Sequence, residues 1–240
     1  MKRKIKWGII STAKIAETDL IPAIKKSKNS ELVAVASRNK DKAAKFAKKN
    51  KIKKFYDSYK KICEDKDIDI IYNPLPNHLH VNSTVNAIKN DKHVLLEKPI
   101  TLKSKEVNII AQAAKKNKKI VKEAFMVRHH PQWQWVKKYI DSNKIGKVNG
   151  ITTLFSYKNL DPKNIRNIKR YGGGGLYDIG CYAIVISRYL FNKEPKKVIC
   201  EANFDKKFKT DNLTSAILDF NGVYSNFIIS TCSTVSQQVL

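Results

Sequence analysis

The sequence predicts an α/β fold in two parts: a doubly wound parallel sheet in the first half, then an α+β domain with an open, mainly antiparallel sheet. Three observations predict it. Up to about residue 123, short β-rich runs alternate with stretches of helical period; beyond it, long strand-like runs follow one another; and Asn221-Gly222, a two-residue hairpin signal, separates the last two long runs. The domains are accordingly read as 1–122 and 123–240.

In the first half the strand-like runs are 5–10, 31–36, 68–72, 94–96 and 120–123. Helix-like segments at about 13–27, 40–50, 77–90 and 103–117 separate them, each with apolar residues three or four apart. In the last, Val107, Ile110, Ala111 and Ala114 make one face. Repeated β-then-α order demands parallel strands, because each helical crossover returns the chain to the end it left. This half is a Rossmann-type candidate. In the second half, 148–157, 198–204, 213–220 and 224–231 alternate as the strands of an antiparallel sheet, with a helix predicted at 176–190. The chain finishes on a polar, strand-like stretch, 233–240.

Composition bounds the function. An apolar content of 42% in 240 residues suits a folded globular chain. The formal net charge of +26 raises a nucleic-acid reading. Its distribution speaks against that reading: the charge is nearly all Lys, spread through every segment. Arginine, the better reader of phosphates and base edges, stands only at Arg3, Arg38, Arg128, Arg166, Arg170 and Arg188. A solvated lysine-rich surface is the expectation. Cys63, Cys181, Cys200 and Cys232 form no C-x-x-C pair and no ligand spacing with His, so no metal site and no disulfide framework is expected. Lys6 breaks the apolar run after Lys2-Arg3-Lys4, which argues against a signal peptide, and nothing approaches a membrane span. A soluble cytoplasmic protein is expected, with no nucleic-acid or membrane partner.

Three stretches carry chemistry. Between the first strand and first helix stand Ser11, Thr12, Ala13, Lys14, Ile15 and Ala16, where a dinucleotide fold brings backbone N–H groups and a helix N-terminus to a pyrophosphate. The glycine fingerprint would put Gly at 11 and 13 and Gly or Ala at 16, so the pattern is as compatible with a plain strand-to-helix turn. The second strand ends on Ser37-Arg38, a hydroxyl and a cation where a free ribose diol would favour Asp or Glu. NADP is therefore expected over NAD, an exposed helix-start arginine being the alternative. The run His93-Val94-Leu95-Leu96 stops on Glu97-Lys98-Pro99, delivering two charged side chains to a sheet rim, where open α/β folds build ligand sites. A solvated strand end capped by proline is the competing reading.

Four motifs occur in order: Tyr72-Asn73-Pro74-Leu75-Pro76-Asn77-His78-Leu79-His80, Glu97-Lys98-Pro99, Glu123-Ala124-Phe125-Met126-Val127-Arg128, and Gly172-Gly173-Gly174-Gly175-Leu176-Tyr177-Asp178-Ile179-Gly180-Cys181-Tyr182. Together they make the chain resemble the Gfo/Idh/MocA oxidoreductases, most closely the branch of dihydrodiol dehydrogenase and NADP-dependent xylose dehydrogenase. The resemblance implies a cofactor-binding Rossmann domain followed by an α/β domain whose open sheet carries substrate and often a subunit interface. It places Pro74, Pro76, Asn77 and His80 on the nicotinamide side and Leu75, Glu97 and Lys98 beside the cofactor. It puts Arg166 near the cofactor and substrate mouth, a loop arginine bound to a carboxylate being the alternative. Members usually run longer, so the second sheet is expected to be incomplete in this chain, and a homodimer expected of a full-length relative is open for this one.

The implied reaction moves a hydride between nicotinamide and a CH–OH group of a sugar or diol. The resemblance nominates Tyr182 as acid/base, Lys98 as the ammonium that favours phenolate and steadies the reacting oxygen, and Asp178 as the group that orients substrate or Lys98. A cofactor-binding homologue without catalysis, and a lysine-rich nucleic-acid-binding protein, are the other readings.

Overall fold

The computed structural model describes residues 3–240, which form two compact units, 3–124 and 125–240. In the first, β1 (Ile5–Ile9) leads through a π-helical turn (Ala16–Leu20) into α1 (Ile21–Lys26), then β2 (Ser30–Ala36), α2 (Lys40–Asn50), β3 (Lys54–Tyr56) and α3 (Tyr59–Glu64). There follow β4 (Ile70–Asn73), α4 (His80–Lys89), β5 (His93–Leu96), α5 (Ser104–Lys116) and β6 (Val121–Glu123). All strand pairs are parallel, in the order β3-β2-β1-β4-β5-β6. That order reverses between β1 and β4, the switch point where doubly wound sheets bind dinucleotides.

Successive strand residues feed opposite faces. Ile71 packs with Ile62, Ala87, Ile88, Val94 and Ile110, while its neighbour Tyr72 packs with Ile9, Ala16, Ile21, Val35 and Ala47. Helices therefore cover both sides, as the alternation requires. A fully buried isoleucine such as Ile9 or Ile71 contributes about 1.5–3 kcal/mol. The sequence reading passes over β3 and α3, because three and six residues are too short to show a period.

The second unit holds α6 (Pro131–Asp141), β7 (Gly150–Lys158), a π-helical turn (Leu176–Gly180) running into α7 (Cys181–Phe191), β8 (Lys197–Phe204), β9 (Asp211–Asp219), β10 (Tyr224–Ser230) and β11 (Cys232–Val239). The sheet order is β11-β7-β10-β9-β8. The sheet is mainly antiparallel, as expected: three ladders are antiparallel, and β10 and β7 pair in parallel. The crossover through α7 brings the chain back in the direction of β7, and two hairpins later β10 runs that way again. The turn between β9 and β10 takes positive φ at both Asn221 (69°) and Gly222 (84°), the primed geometry that suits hairpins.

One face of this sheet is covered: Ala216, Leu218, Phe220, Phe227 and Ile229 pack against Ile179 and Ala183. The other carries exposed Ile199, Leu213, Ile217 and Ile228, with Ile199 directly opposite Ile217 and Ile228 opposite Ser215 and Leu154. Lys158 and Lys197 are the only lysines in these five strands, although the chain carries 47 Lys and Arg.

Candidate active site

In the first unit the rim of the parallel sheet assembles a dinucleotide cradle from strand ends. Ser11, Thr12 and Ala13 form the turn after β1, held by Ile10 N–H on the Tyr72 carbonyl at 3.1 Å, and Lys14 and Ile15 start the helical turn. Ala16 has no exposed surface, so the position where the fingerprint tolerates alanine is used for helix–strand packing. At the end of β2, Ser37 N–H donates to the Tyr56 carbonyl, and Asn39 N–H donates to Ser37 Oγ. Asn39 Oδ1 in turn accepts from Lys42 N–H and caps α2. Arg38 is exposed beside this cap, and no carboxylate stands at 37–39. The small turn residues, the capped helix and the cation fit a phosphate-bearing dinucleotide.

The loop after β4 and the Glu97-Lys98-Pro99 segment are braced against each other. Tyr72 hydroxyl donates to Glu97 Oε1 at 2.6 Å, and Ile100 N–H donates to Glu123 Oε1 at 2.7 Å. Asn73 donates to Ser83 and Thr84 and accepts from Leu75 N–H, which fixes buried Pro74 and Leu75. His80 has no exposed surface; its Nε2 lies 2.8 Å from the Leu75 carbonyl and its Nδ1 2.9 Å from that of Pro99. Burial presses its pKa below the ordinary histidine value, with the two carbonyls opposing. The ring thus ties the Leu75 loop to Pro99, the residue after Lys98, while Lys98 N–H donates to Glu97 Oε2 at 3.3 Å. Asn77 begins a short 3-10 turn, Asn77–Leu79, half-buried at the loop's edge.

In the second unit the glycine run serves close packing. A Cβ on Gly173 would stand 2.4 Å from the Arg166 carbonyl oxygen, and Gly174 has φ +124° with Asp211 against it. Gly174 N–H donates to the Arg166 carbonyl, and Leu176 N–H donates to Asp211 Oδ2 at 2.6 Å. The bare backbone thus brings the Arg166 loop and Asp211 onto the start of the π turn. There Asp178 Oδ2 accepts from Tyr157 hydroxyl at 2.6 Å and from Arg166 Nε at 2.8 Å. Burial first, then the Asp178 carboxylate, push the Tyr157 phenol far above the ordinary tyrosine pKa. It is a fixed donor. Arg166 keeps its charge: desolvation works against it, but Asp178 and its hydrogen bond outweigh that. Tyr182 packs edge-on to Phe125, ring centroids 5.5 Å apart, and 6.1 Å from the Phe155 ring.

The structure thus joins Asp178 to Arg166 within one cluster, and Glu97, Lys98, Leu75 and His80 within another. Sequence reasoning gave Tyr72 no role although it opens the Tyr72–His80 motif, and it missed Tyr157 and Asp211, for which the sequence carries no motif. His130, adjacent to His129, caps α6 by accepting from Gln132 N–H. Among the described residues, no group of three or more His, Cys, Asp or Glu converges as a metal site, no helix is long and apolar enough to cross a membrane, and no disulfide is formed.

A parallel sheet with this strand order, whose rim fits a phosphate-bearing dinucleotide, defines the dinucleotide-binding class of doubly wound folds. Residues 5–125 match the oxidoreductase family with NAD-binding Rossmann fold, and residues 133–239 match the GFO/IDH/MocA C-terminal domain. The chain belongs to the Gfo/Idh/MocA oxidoreductase family. It is 40% identical to an uncharacterized oxidoreductase of Rhizobium meliloti, over 95% of this chain and 68% of that one. It is 32% identical to trans-1,2-dihydrobenzene-1,2-diol dehydrogenase of Xenopus laevis, over 94% of this chain and 68% of the relative. Identity is also 32% to an NADP(+) D-xylose 1-dehydrogenase of Haloferax volcanii, over 90% and 66%. Among solved structures, a 3-ketoreductase from Actinomadura kijaniata in complex with NADP and TDP-benzene superposes with TM-score 0.93 at 26% identity, covering 99% of this chain and 73% of that one.

Proposed function

We propose that this chain is an NADP-dependent oxidoreductase exchanging a hydride between the nicotinamide and a CH–OH group of a sugar or dihydrodiol. The observation that carries the reading is Ser37-Arg38 at the end of β2 in a sheet ordered β3-β2-β1-β4-β5-β6. A hydroxyl and a guanidinium there suit a 2′-phosphate, and an unmodified ribose diol would favour a carboxylate. The relatives named above, which act on a diol, on D-xylose or as a ketoreductase, support the substrate class.

Bound NADP supplies the hydride acceptor or donor. Ser11, Thr12, Ala13, Lys14 and Ile15 bind its phosphates, and Pro74, Leu75 and Asn77 form the wall beside its reactive end. Tyr182 takes the proton from the substrate hydroxyl, and the Lys98 ammonium stabilises developing negative charge on oxygen. Asp178, held by Tyr157 and Arg166, orients the reacting groups. His80 and Glu97 act through Lys98 by fixing its backbone. Tyr157 is unsuited to proton transfer because its phenol is held protonated. The reaction takes place in the cytoplasm. We also assign the lysine-poor open face of the second sheet to pairing with a second copy, since charge depletion with exposed aliphatics marks interface cores.

The test is NADP+ reduction by the intact protein with D-xylose and with trans-dihydrobenzenediol. Tyr182→Phe and Lys98→Met should each lower turnover roughly 10²–10⁴-fold. Near-normal turnover in both would remove these assignments.

A further inference from the structure

At the starts of β1, β4, β5 and β6, on the rim of the first sheet opposite the Glu97-Lys98-Pro99 segment, lies a cavity of ≈ 500 Å³. Five of its lining side chains are basic, Arg3, Lys4, Lys66, Lys92 and Lys119, and two are carboxylates. Both carboxylates are engaged within the wall. Asp69 takes the Arg3 guanidinium and the Lys6 N–H, and Asp91 takes the Lys119 ammonium. Lys4 and Lys66 are exposed and have no carboxylate within salt-bridge distance among the described residues. The most informative wall residue is Lys92. It is only 3% exposed, and its Nζ donates to the Asp65 carbonyl at 2.7 Å and to the Ile68 carbonyl at 2.9 Å. An ammonium carries three N–H groups, so one stays available.

Buried charges are ordinarily paired, yet no carboxylate stands within salt-bridge distance of Lys92 among the described residues. Burial presses its pKa below the ordinary lysine value, against the pull of Asp65 and Asp91. An anion in the cavity would offset that cost. Beside it, His93 Nδ1 accepts from Ile120 N–H at 3.0 Å, which in the neutral ring leaves the proton on Nε2 as a further donor. The chemistry of the wall selects the anion. A planar carboxylate is best met by a bidentate arginine, and the one arginine here is already held by Asp69; free ammonium point charges suit a phosphoryl group. The volume leaves room for a small organic carrier. We propose that this cavity binds the phosphoryl group of a small phosphorylated metabolite, with Lys4, Lys66, the remaining Lys92 N–H and His93 Nε2–H as its donors. The site is separate from the dinucleotide rim, since β5 runs from His93 at one end to Leu96 and then Lys98 at the other. It is independent of the NADP reading.

The experiment titrates the intact protein at fixed ionic strength with inorganic phosphate, glucose 6-phosphate and glucose, and reads the ring signals of His93 by NMR, assigned with His93→Gln. This readout is local to the cavity. Both phosphates should shift the His93 signals saturably, glucose 6-phosphate more tightly, and glucose should leave them in place. Lys66→Ala should weaken the binding of glucose 6-phosphate about 5- to 10-fold, the loss of one charge-assisted contact in partly screened surroundings, and Lys4→Ala with Lys66→Ala should weaken it further. Both lysines are exposed, so the fold is retained; Lys116→Ala on α5 serves as a charge-matched control and should bind as wild type does. An unsaturating drift of the His93 signals, equal affinity in wild type and the double variant, or glucose bound as tightly as glucose 6-phosphate would each overturn the assignment and leave Lys92 a cap on two carbonyls. None of these results bears on NADPH binding at the other rim.

Discussion

Tyr157 donates its phenolic hydrogen to the carboxylate of Asp178 across 2.6 Å, joining β7 to the π turn that opens the glycine-rich helix. Arg166 Nε approaches the same oxygen at 2.8 Å. The carboxylate is thereby fixed by a neutral donor and a charged one. Glycines 173 and 174 make this possible, since any side chain there would push the Arg166 loop or Asp211 away.

Tyr157→Phe should leave Asp178 held by Arg166 alone. A hydrogen bond to a charged group is worth about 1.5–3 kcal/mol, so denaturant melts should show a loss of that order, and turnover should fall with NADPH affinity unchanged. The pH dependence has a definite sign. The folded phenol titrates above the unfolded one, so its contribution is fully present below a pH of about 10 and is lost progressively above it. The wild type should weaken faster than Tyr157→Phe as the solution is made more alkaline.

Gly174→Ala meets two obstacles, a φ of +124° and the Asp211 carboxylate. Strain of this kind costs about 1–3 kcal/mol before any clash is relieved. Thermal melts should fall clearly below wild type, whereas Gly146→Ala, with open space around its Cβ position, should pay only the backbone cost.

His80→Leu tests the brace behind Lys98. A neutral imidazole carries one N–H, so one of the Leu75 and Pro99 carbonyls would lose its buried donor, at about 1–3 kcal/mol. Because the folded imidazole titrates below the unfolded one, its contribution is present above a pH of about 6.5 and is lost as pH falls through the depressed value. Stability profiles from neutral to mildly acidic pH should therefore slope more steeply in wild type than in the variant.

Ile217→Lys with Ile228→Lys places two charges on the open face of the second sheet. Analytical ultracentrifugation should find wild type sedimenting as a dimer and the double variant as a monomer with unchanged circular dichroism. A monomeric wild type would remove the second copy from that face.

Much of the first unit was legible because its strands and helices carry their own periods: the face of Val107, Ile110, Ala111 and Ala114 appears as α5, Ser104–Lys116. Strand direction is different. Alternation in β7 and β10 tells which residues share a face but not which way the strands run, so the parallel pair had to come from the topology. The same limit hid part of the site. Tyr72 meets Glu97 across 25 residues, Tyr157 meets Asp178 across 21, and Asp211 reaches Leu176 across 35. No local spacing announces contacts that exist only once the sheets close. The helix α6 escaped for a nearer reason: Trp133, Val136 and Ile140 face inward, but exposed Trp135 and half-buried Tyr139, stacked on each other, blur the period.

The most direct measurement is a titration of the intact protein's fluorescence with NADPH, with NADH and duplex DNA as parallel ligands. Saturable NADPH binding, tighter than NADH and without a steep salt-dependent affinity for DNA, is the predicted result. Absence of saturable binding by either dinucleotide, alongside strongly salt-dependent DNA binding, would contradict the account.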